Sequence, residues 1–452
     1  MTQKIPSKRR LFRLITLGCS KNQVDSDKLC TLLKENGYSA AKGSQKPDVI
    51  FLNTCSFTHE AREATYKRVE NLARQSEKLN CYFVLLGCLP NYLDHNQIKM
   101  SLPVHALVTT DCYLLLPEIL EKMFTNRPFK SNPAPESFAR FLKLSPTASS
   151  INQSAFLKLS EGCSNKCTFC SIPLIRGPLY SRSAEEIVKE AKMLTESGVL
   201  ELNLIGQEIT AYGQDQPNLP DLAGLLRLLL KNTQAKWIRL NYCHPTNFTE
   251  ELIDLTASEP RICPYLDLPL QHISQQMLKA MARGYSSDQV FRLLDKLFRK
   301  IPRLQIVSSF IVGFPGETQK HFNELLEFID QGWFRYINVF PFSRETGTRA
   351  ELYPNNNSSR EIKERQRILT QAQRQVFTKQ ALKWKSESIS VILEGPNRDF
   401  RFKDSYPLMG RSLWDAPEDA RVFLRTNSES FPKGIIKAKI EGRDGYDLLA
   451  VS

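Results

Sequence analysis

Glu161-Gly162-Cys163-Ser164-Asn165-Lys166-Cys167-Thr168-Phe169-Cys170 sets three cysteines in one short loop at the spacing CxxxCxxC. A 4Fe-4S cubane ordinarily takes four thiolates, so three ligands leave one iron open. An open iron can chelate a substrate, which makes such a cluster a reagent rather than an electron store. Zinc is the competing reading. Structural zinc completes a tetrahedron with a fourth Cys or His, and no such residue stands within a short stretch of this loop.

Outward from the loop, short apolar runs recur with helical stretches between them. Strands are expected at Phe156–Leu159, Glu201–Ile205, Trp237–Leu240, Tyr265–Leu268, Gln305–Val312 and Arg335–Phe340. Helical patterns at Ala184–Ser197, Ser287–Phe298 and Lys320–Ile329 fill gaps between them, a βα alternation. Six units fall short of the eight that close a full barrel, and a loop directly after the first strand lies at the barrel mouth, where barrel enzymes keep their chemistry. The CxxxCxxC spacing resembles the signature of the radical S-adenosylmethionine (SAM) enzymes. That resemblance implies an open, partial barrel with one 4Fe-4S cluster on Cys163, Cys167 and Cys170. It also implies SAM contacts at Gly206-Gln207-Glu208, in the place of a Gly-Gly-Glu-like motif, and beside the adenine at Gly313-Phe314-Pro315-Gly316-Glu317. Glycine turns of the latter kind are also ordinary tight turns. His272, taken alone, reads as a hydrogen-bonded wall residue.

The N-terminal segment repeats one pattern three times. Leu14–Gly18 leads to Cys19, Val49–Thr54 to Cys55, and Phe83–Gly87 to Cys88, with helical stretches at Asp25–Glu35 and His59–Arg74 between. Such runs read as parallel strands of an α/β sheet, and functional groups gather beyond the carboxyl ends of such strands. Cys19, Cys55 and Cys88 are therefore expected to converge as ligands of a second cluster, again with one open iron. Cys30, Cys81, Cys112, Cys243 and Cys263 share no spacing and are assigned to packing.

At 452 residues the chain predicts about three domains. The basic start, Met1–Arg10, precedes an apolar run broken by Arg13 and too short for a signal core or membrane span. A cytoplasmic protein with no membrane partner is expected. Eleven cysteines in a large chain without a signal point to metal or redox chemistry rather than disulfides. A net charge of +13 favours an anionic or ribonucleoprotein partner.

Proline and serine between Asn126 and Ser150 suit a linker. The expected division is 1–130 for the tri-cysteine domain, 131–150 for the linker, 151–384 for the barrel and 385–452 for a last domain. After a charged helix at Arg360–Trp384, short strands at Ser388–Leu393, Ser412–Trp414, Arg421–Phe423, Gly434–Ile440 and Tyr446–Val451 suit a small antiparallel, OB-like barrel. It looks like a TRAM domain.

Tri-cysteine α/β domain, CxxxCxxC barrel and TRAM domain in that order resemble the radical SAM methylthiotransferase family. Its members insert sulfur into an unactivated C–H bond and methylate it. The resemblance implies two 4Fe-4S clusters, SAM cleaved to a 5'-deoxyadenosyl radical, and a reducing partner such as flavodoxin or ferredoxin. Two branches compete. The ribosomal branch, RimO, modifies the β-carbon of an aspartate of small-subunit ribosomal protein S-twelve; the MiaB branch modifies an adenosine derivative in tRNA. Leu17-Gly18-Cys19-Ser20-Lys21-Asn22-Gln23-Val24-Asp25-Ser26, Leu268-Pro269-Leu270-Gln271-His272-Ile273-Ser274 and Asp415-Ala416-Pro417-Glu418 resemble the ribosomal form. From Lys385 to Ser452, 11 Lys and Arg balance 11 Asp and Glu. A domain gripping RNA phosphates should be basic, so neutrality suits a basic ribosomal protein. The family pattern is broken at Glu208, where Asp is usual, at His244-Pro245, where Tyr-Pro is usual, and at Asp419-Ala420-Arg421. These departures leave the cysteines untouched and bear on the exact substrate contacts. A non-catalytic iron-sulfur ribosome-binding factor ranks last, because a carrier has no use for an open iron beside a SAM pocket.

Overall fold

The computed structural model describes residues 10–95, 102–127, 137–145, 153–354, 357–426 and 434–452. The first sheet has five parallel strands, ordered Ser39–Ala40, Leu11–Thr16, Val49–Thr54, Tyr82–Gly87 and Ala106–Leu107. Its central strand Val49–Thr54 is buried throughout, as a strand covered on both faces must be. Alternate residues serve two cores: Val49 and Phe51 pack with Leu29 and Leu33 of the helix Ser20–Glu35, while Ile50 and Leu52 pack with Val69 and Leu72 of His59–Leu79. The register sets Thr16 beside Asn53 and Thr54 beside Gly87, so all three cysteine-bearing strands end at one level.

The second sheet runs Ser154–Lys158, Glu201–Ile205, Trp237–Leu240, Ile262–Asp267, Gln305–Val312 and Tyr336–Pro341, each strand parallel to the next in sequence. It stays open between its first and last strands. A parallel sheet wound in chain order through helices is the expected half-barrel.

The C-terminal strands Ser388–Pro396, Leu408–Ser412, Val422–Arg425, Asp447–Val451 and Ile435–Asp444 close into a barrel. It is not wholly antiparallel, because Val422–Arg425 and Asp447–Val451 pair parallel. The second of its strands lies upstream of the expected Ser412–Trp414. Trp414 leaves the sheet and is buried against Trp384, ring centroids 5.3 Å apart, so its apolar character reflects packing rather than strand.

Two further differences concern the N-terminal part. The first helix starts at Ser20, not Asp25, directly behind Cys19. Within the stretch expected as linker, Ser137–Leu142 is helical and buries Phe141 and Leu142, while Lys28 donates from Nζ to the carbonyl of Leu142 at 2.8 Å. The flanking parts of that stretch, 131–136 and 146–150, lie outside the described residues.

Candidate active site

The CxxxCxxC loop leaves the half-barrel and is bracketed by a two-stranded ribbon, Ser160–Glu161 with Tyr180–Ser181. Backbone bonds hold it from several sides: Cys163 N–H donates to Gly177 O at 3.1 Å, Thr168 N–H to Met281 O at 3.1 Å, and Ala350 N–H to Thr168 O at 2.9 Å. Gly162 has φ +72, and a Cβ there would meet the carbonyl of Pro178 at 2.0 Å, so the close approach requires glycine. Arg283, buried, donates from Nη1 to Cys167 Sγ at 3.1 Å and from Nη2 to Pro269 O at 2.8 Å.

Burial pushes the Cys163 thiol up to about 11 and the Cys170 thiol up to about 12, with the neighbouring thiols adding to the rise. Thiols in such surroundings ionise when a metal takes the proton's place. Among the described residues no three His, Cys, Asp or Glu side chains form the shell of a single metal ion. A donor set of three cysteines with a guanidinium against one sulfur fits a cluster's thiolates.

At the carboxyl edge of the first sheet, Cys19, Cys55 and Cys88 come together. A Cβ on Gly18 would lie 3.3 Å from Cys55 Sγ, and burial, with Cys88 and Cys19 close by, pushes the Cys55 thiol up to about 11. Cys88 is buried at the start of the helix Cys88–His95. Arg176, which ends the helix Ile172–Arg176 just beyond Cys170, reaches across and donates from Nη2 to Cys88 Sγ at 3.3 Å. The chain that follows one cysteine set thus reaches a sulfur of the other.

The Arg176 side chain belongs to a buried ionic network. Arg176 also donates to Asp25 at 2.8 Å and to Glu161 at 3.3 Å; Lys158 donates to Glu161 at 2.7 Å and to Asp25. Burial alone would push the Asp25 carboxyl up, but the charges of Lys158 and Arg176 outweigh it and hold it below its ordinary value. Gln207 joins this network, donating from Nε2 to Glu161 at 2.6 Å.

Glu208 stands differently. It accepts from Asn165 of the cysteine loop, from Asn247, and from Thr210 at 3.0 Å. It lines a cavity of about 270 Å³ together with Cys163, Asn165, Thr246 and Asn247. Gly206 packs on Ser160, whose Oγ would lie 2.7 Å from an added Cβ. Gly313 at φ +74 lies against Ile362 of the helix Ser359–Leu382; its N–H donates to Glu317 at 2.6 Å, and Glu317 pairs with Arg365 at 2.9 Å. Gly316 ends the same turn, near Met277. His272 is fully buried, with Nδ1 accepting from the N–H groups of Ile273 and Ser274 at 2.9 and 3.0 Å. Burial pushes it down to about 3, which keeps it a neutral wall residue. His244, at one departure from the family pattern, is likewise pushed down to about 3 by burial.

A second cavity, of about 310 Å³, lies where all three parts of the chain meet; its walls include Ser20, Tyr242, Asp267, Tyr336, Glu418 and Asp419. Glu418 accepts from Ser20 N–H at 3.1 Å and lies 3.3 Å from the Tyr242 hydroxyl, so the C-terminal barrel reaches the residue next to Cys19. Tyr242 holds φ +63, with its N–H on Asp267 at 3.1 Å and Lys21 Nζ 3.0 Å from its ring centroid. Strained backbone of this kind persists where its surroundings over-determine it.

Burial, then the nearby Asp419, raises the Asp267 carboxyl to about 7. Because the folded chain holds this proton more tightly than the unfolded one, stability falls as pH rises from about 4 to about 7 and stays flat above. Asp267→Asn keeps an acceptor for Tyr242 and removes the charge. The variant is expected to be more stable than wild type at pH 8 by on the order of 2 kcal/mol, with no gain at pH 4. Melting curves at both pH values check this.

Sequence reasoning missed Asn22, Asp25, Lys158, Arg176, Tyr242, Asp267 and Arg283. Asn22, Asp25 and Lys28 recur every three residues on one helix face, a polar stripe that ordinarily marks the solvated side; here it is the buried one. No pattern marks Arg283.

A parallel half-barrel with a CxxxCxxC loop at its mouth defines a radical SAM enzyme, and residues 157–329 match the model of the Radical SAM superfamily. In fold the chain is similar to the radical SAM methyltransferase TsrM from Kitasatospora setae, with TM-score 0.54 at 14% identity, covering 75% of this chain and 73% of that one. It also resembles the cobalamin-dependent radical SAM enzyme OxsB, with TM-score 0.51 at 13% identity, covering 80% and 56%. Residues 11–109 match the model of Uncharacterized protein family UPF0004. Over 439 residues the chain is 37% identical to the ribosomal protein uS12 methylthiotransferase RimO of Trichlorobacter lovleyi, covering 97% of each. It is 37% identical to that of Citrifermentans bemidjiense, covering 96% and 97%, and 35% identical to that of Geobacter sulfurreducens, covering 96% and 97%. This chain belongs to the RimO family of radical SAM methylthiotransferases.

Proposed function

We propose that this enzyme methylthiolates the β-carbon of an aspartate of ribosomal protein uS12, the substrate in its relatives' names. The observation that carries the reading is the docking of the two three-cysteine segments: the stretch directly after Cys170 sets Ser171 on the carbonyl of Phe57, two residues past Cys55, and Arg176 on the sulfur of Cys88. Cys163, Cys167 and Cys170 would hold one 4Fe-4S cluster and Cys19, Cys55 and Cys88 the other, each with an open iron. When bound, these clusters supply reductive cleavage of SAM on one side and a site for the transferred sulfur on the other.

The chain's own residues do the rest. Glu208, lining the cavity beside Cys163, would take the amino group of SAM. Gly206 lets the strand end approach Ser160, and the turn from Gly313 to Gly316 is fixed by Glu317 and Arg365 as one edge of the adenine side. Burying the reacting centre among residues 1–130, 151–384 and 385–452 excludes water and prevents side reactions. The helix Ser137–Leu142 groups with the first of these units, although it falls within the 131–150 connection.

The cavity at the three-way junction supports a protein substrate. Asp267, Glu418 and Asp419 line it, and a neighbouring groove of about 630 Å³ shares Tyr336, Asn338, Glu418 and Asp419 with it. Burial raises Asp267 and Asp419 toward the neutral form, and Arg374, Arg401 and Arg443 offset the carboxylates of the groove, so Glu418 is the charge at the junction that would attract a basic ribosomal protein and repel RNA phosphates. No helix among the described residues is long and apolar enough to cross a membrane. A cytoplasmic enzyme, reduced by a flavodoxin- or ferredoxin-like partner and acting where ribosomes assemble, suits these features.

Supplying the enzyme with uS12 or with tRNA and comparing methylthio products by mass spectrometry tests the reading; turnover on tRNA alone overturns it. Glu418→Gln keeps the acceptor for Ser20 and removes the charge. It is expected to raise KM for uS12 by about tenfold, the worth of 1.4 kcal/mol, while SAM cleavage without uS12 stays near wild type. An unchanged KM would remove Glu418 from substrate selection.

A further inference from the structure

We propose that Arg176 is a positioning residue of the second cluster site, setting that cluster's reduction potential from the radical side of the molecule. The inference rests on the proposed role of Cys88 as a cluster ligand. Arg176 follows Cys170 by six residues, yet its guanidinium lies among the groups behind the other cysteine set. Nη2 donates to Cys88 Sγ at 3.3 Å and to Asn22 Oδ1 at 2.5 Å; Nη1 donates to Asp25 at 2.8 Å and to Glu161 at 3.3 Å. Two acceptors on each terminal nitrogen fix the fork in plane and position, as a rigid guanidinium allows and a lysine does not. The side chain is 3% exposed, so water screens it little.

Hydrogen bonds to the sulfurs, net charge and burial set the potential of an iron-sulfur cluster. Reduction adds one electron, taken from the external reductant, and therefore one negative charge. A fixed cation bonded to a ligand sulfur stabilises that state more than the oxidised one. Asp25 and Glu161 neutralise part of the charge but touch no sulfur; they hold the fork in place. Because Arg176 sits on the helix that follows the CxxxCxxC loop, the second cluster reaches its working potential only when the two sheets are docked.

The test uses the full chain carrying Cys163→Ala, Cys167→Ala and Cys170→Ala, so that only the second cluster remains. Iron per chain and the midpoint potential are read by anaerobic potentiometric titration followed by electron paramagnetic resonance. Arg176→Gln is expected to keep the iron and to lower the potential by about 59 mV, a tenfold shift of a one-electron equilibrium. Arg176→Lys, which keeps the charge, should recover part of the shift. Asp25→Asn, which keeps an acceptor for Nη1 and removes a negative charge, should not lower the potential as Arg176→Gln does. Should Arg176→Gln lose iron, recovery of the iron by Arg176→Lys with full iron in Asp25→Asn still supports the role. A wild-type potential in iron-replete Arg176→Gln overturns it, as does an equal effect of Asp25→Asn or iron loss in all three. Absence of any cluster in the parent variant would instead refute the assignment of Cys19, Cys55 and Cys88.

Discussion

Changing Cys163, Cys167 and Cys170 together to Ala should remove about half of the iron and all SAM cleavage, since thiolates are the protein's attachment to such a cluster. The loop itself should survive. Its path is fixed by backbone bonds from Cys163 to Gly177, from Thr168 to Met281 and from Ala350 to Thr168, and by Ser164 Oγ accepting from Leu179 N–H at 3.1 Å. None of these involves a thiol. Phe169 packs against the cluster of Met277, Met281, Ile311, Phe314 and Ala350, which anchors the loop from the barrel side. Circular dichroism should therefore stay close to wild type, while iron analysis and chromatographic assay of 5'-deoxyadenosine record the loss. Unchanged iron content in a folded variant would sink the assignment of this loop.

The convergence of the strand-end cysteines was legible in the sequence because parallel strands carry a continuous apolar run whose end can be read. Val49–Thr54 is such a run, and its buried length bears out the reason. The ionic groups between the sheets were not legible. Asp25 meets Lys158 and Arg176 across 133 and 151 residues, and Lys28 meets Glu190 across 162. Charged residues at such separations carry no mutual periodicity, and each one alone reads as solvated surface. Removing one partner of a buried pair costs about 3–5 kcal/mol, so these contacts specify how the two sheets dock although nothing in the local sequence announces them.

The same limit applies to the C-terminal charge count. Its balance is real, but Arg411 pairs with Glu201 of the half-barrel at 2.5 Å and Asp415 with Arg335 at 2.7 Å, all four buried. Those charges fasten the last barrel to the second sheet and are not available to a substrate. Deleting everything after Trp384 would strand Arg335 without its carboxylate inside the protein, so a truncation mixes lost selection with lost stability. Glu418, which faces the junction cavity, is the charge to which the proposal assigns substrate choice.

Replacing Cys19, Cys55 and Cys88 together by Ala should abolish methylthio product and leave SAM cleavage in place. The radical loop is held by Gly177, Met281, Ala350 and Arg283, all in the chain beyond residue 150, so the site that cleaves SAM does not depend on the first sheet's thiols. The first sheet does not depend on them either. Asn22 fixes the strand ends through its Nδ2, donating to Leu17 O at 2.9 Å and to Thr54 O at 2.8 Å, and Asn53 donates to Asn22 O at 2.9 Å. After loss of the Cys88 sulfur, Arg176 keeps Asn22, Asp25 and Glu161 as acceptors and stays satisfied. A fold that survives with one cluster site intact and the other gone separates radical generation from sulfur transfer. Mass spectrometry of uS12 with 5'-deoxyadenosine assayed in parallel reads both halves at once. Methylthiolated uS12 at the wild-type level would show that sulfur reaches the substrate without this edge of the sheet, and loss of SAM cleavage in a folded variant would show that the two sites are not separable.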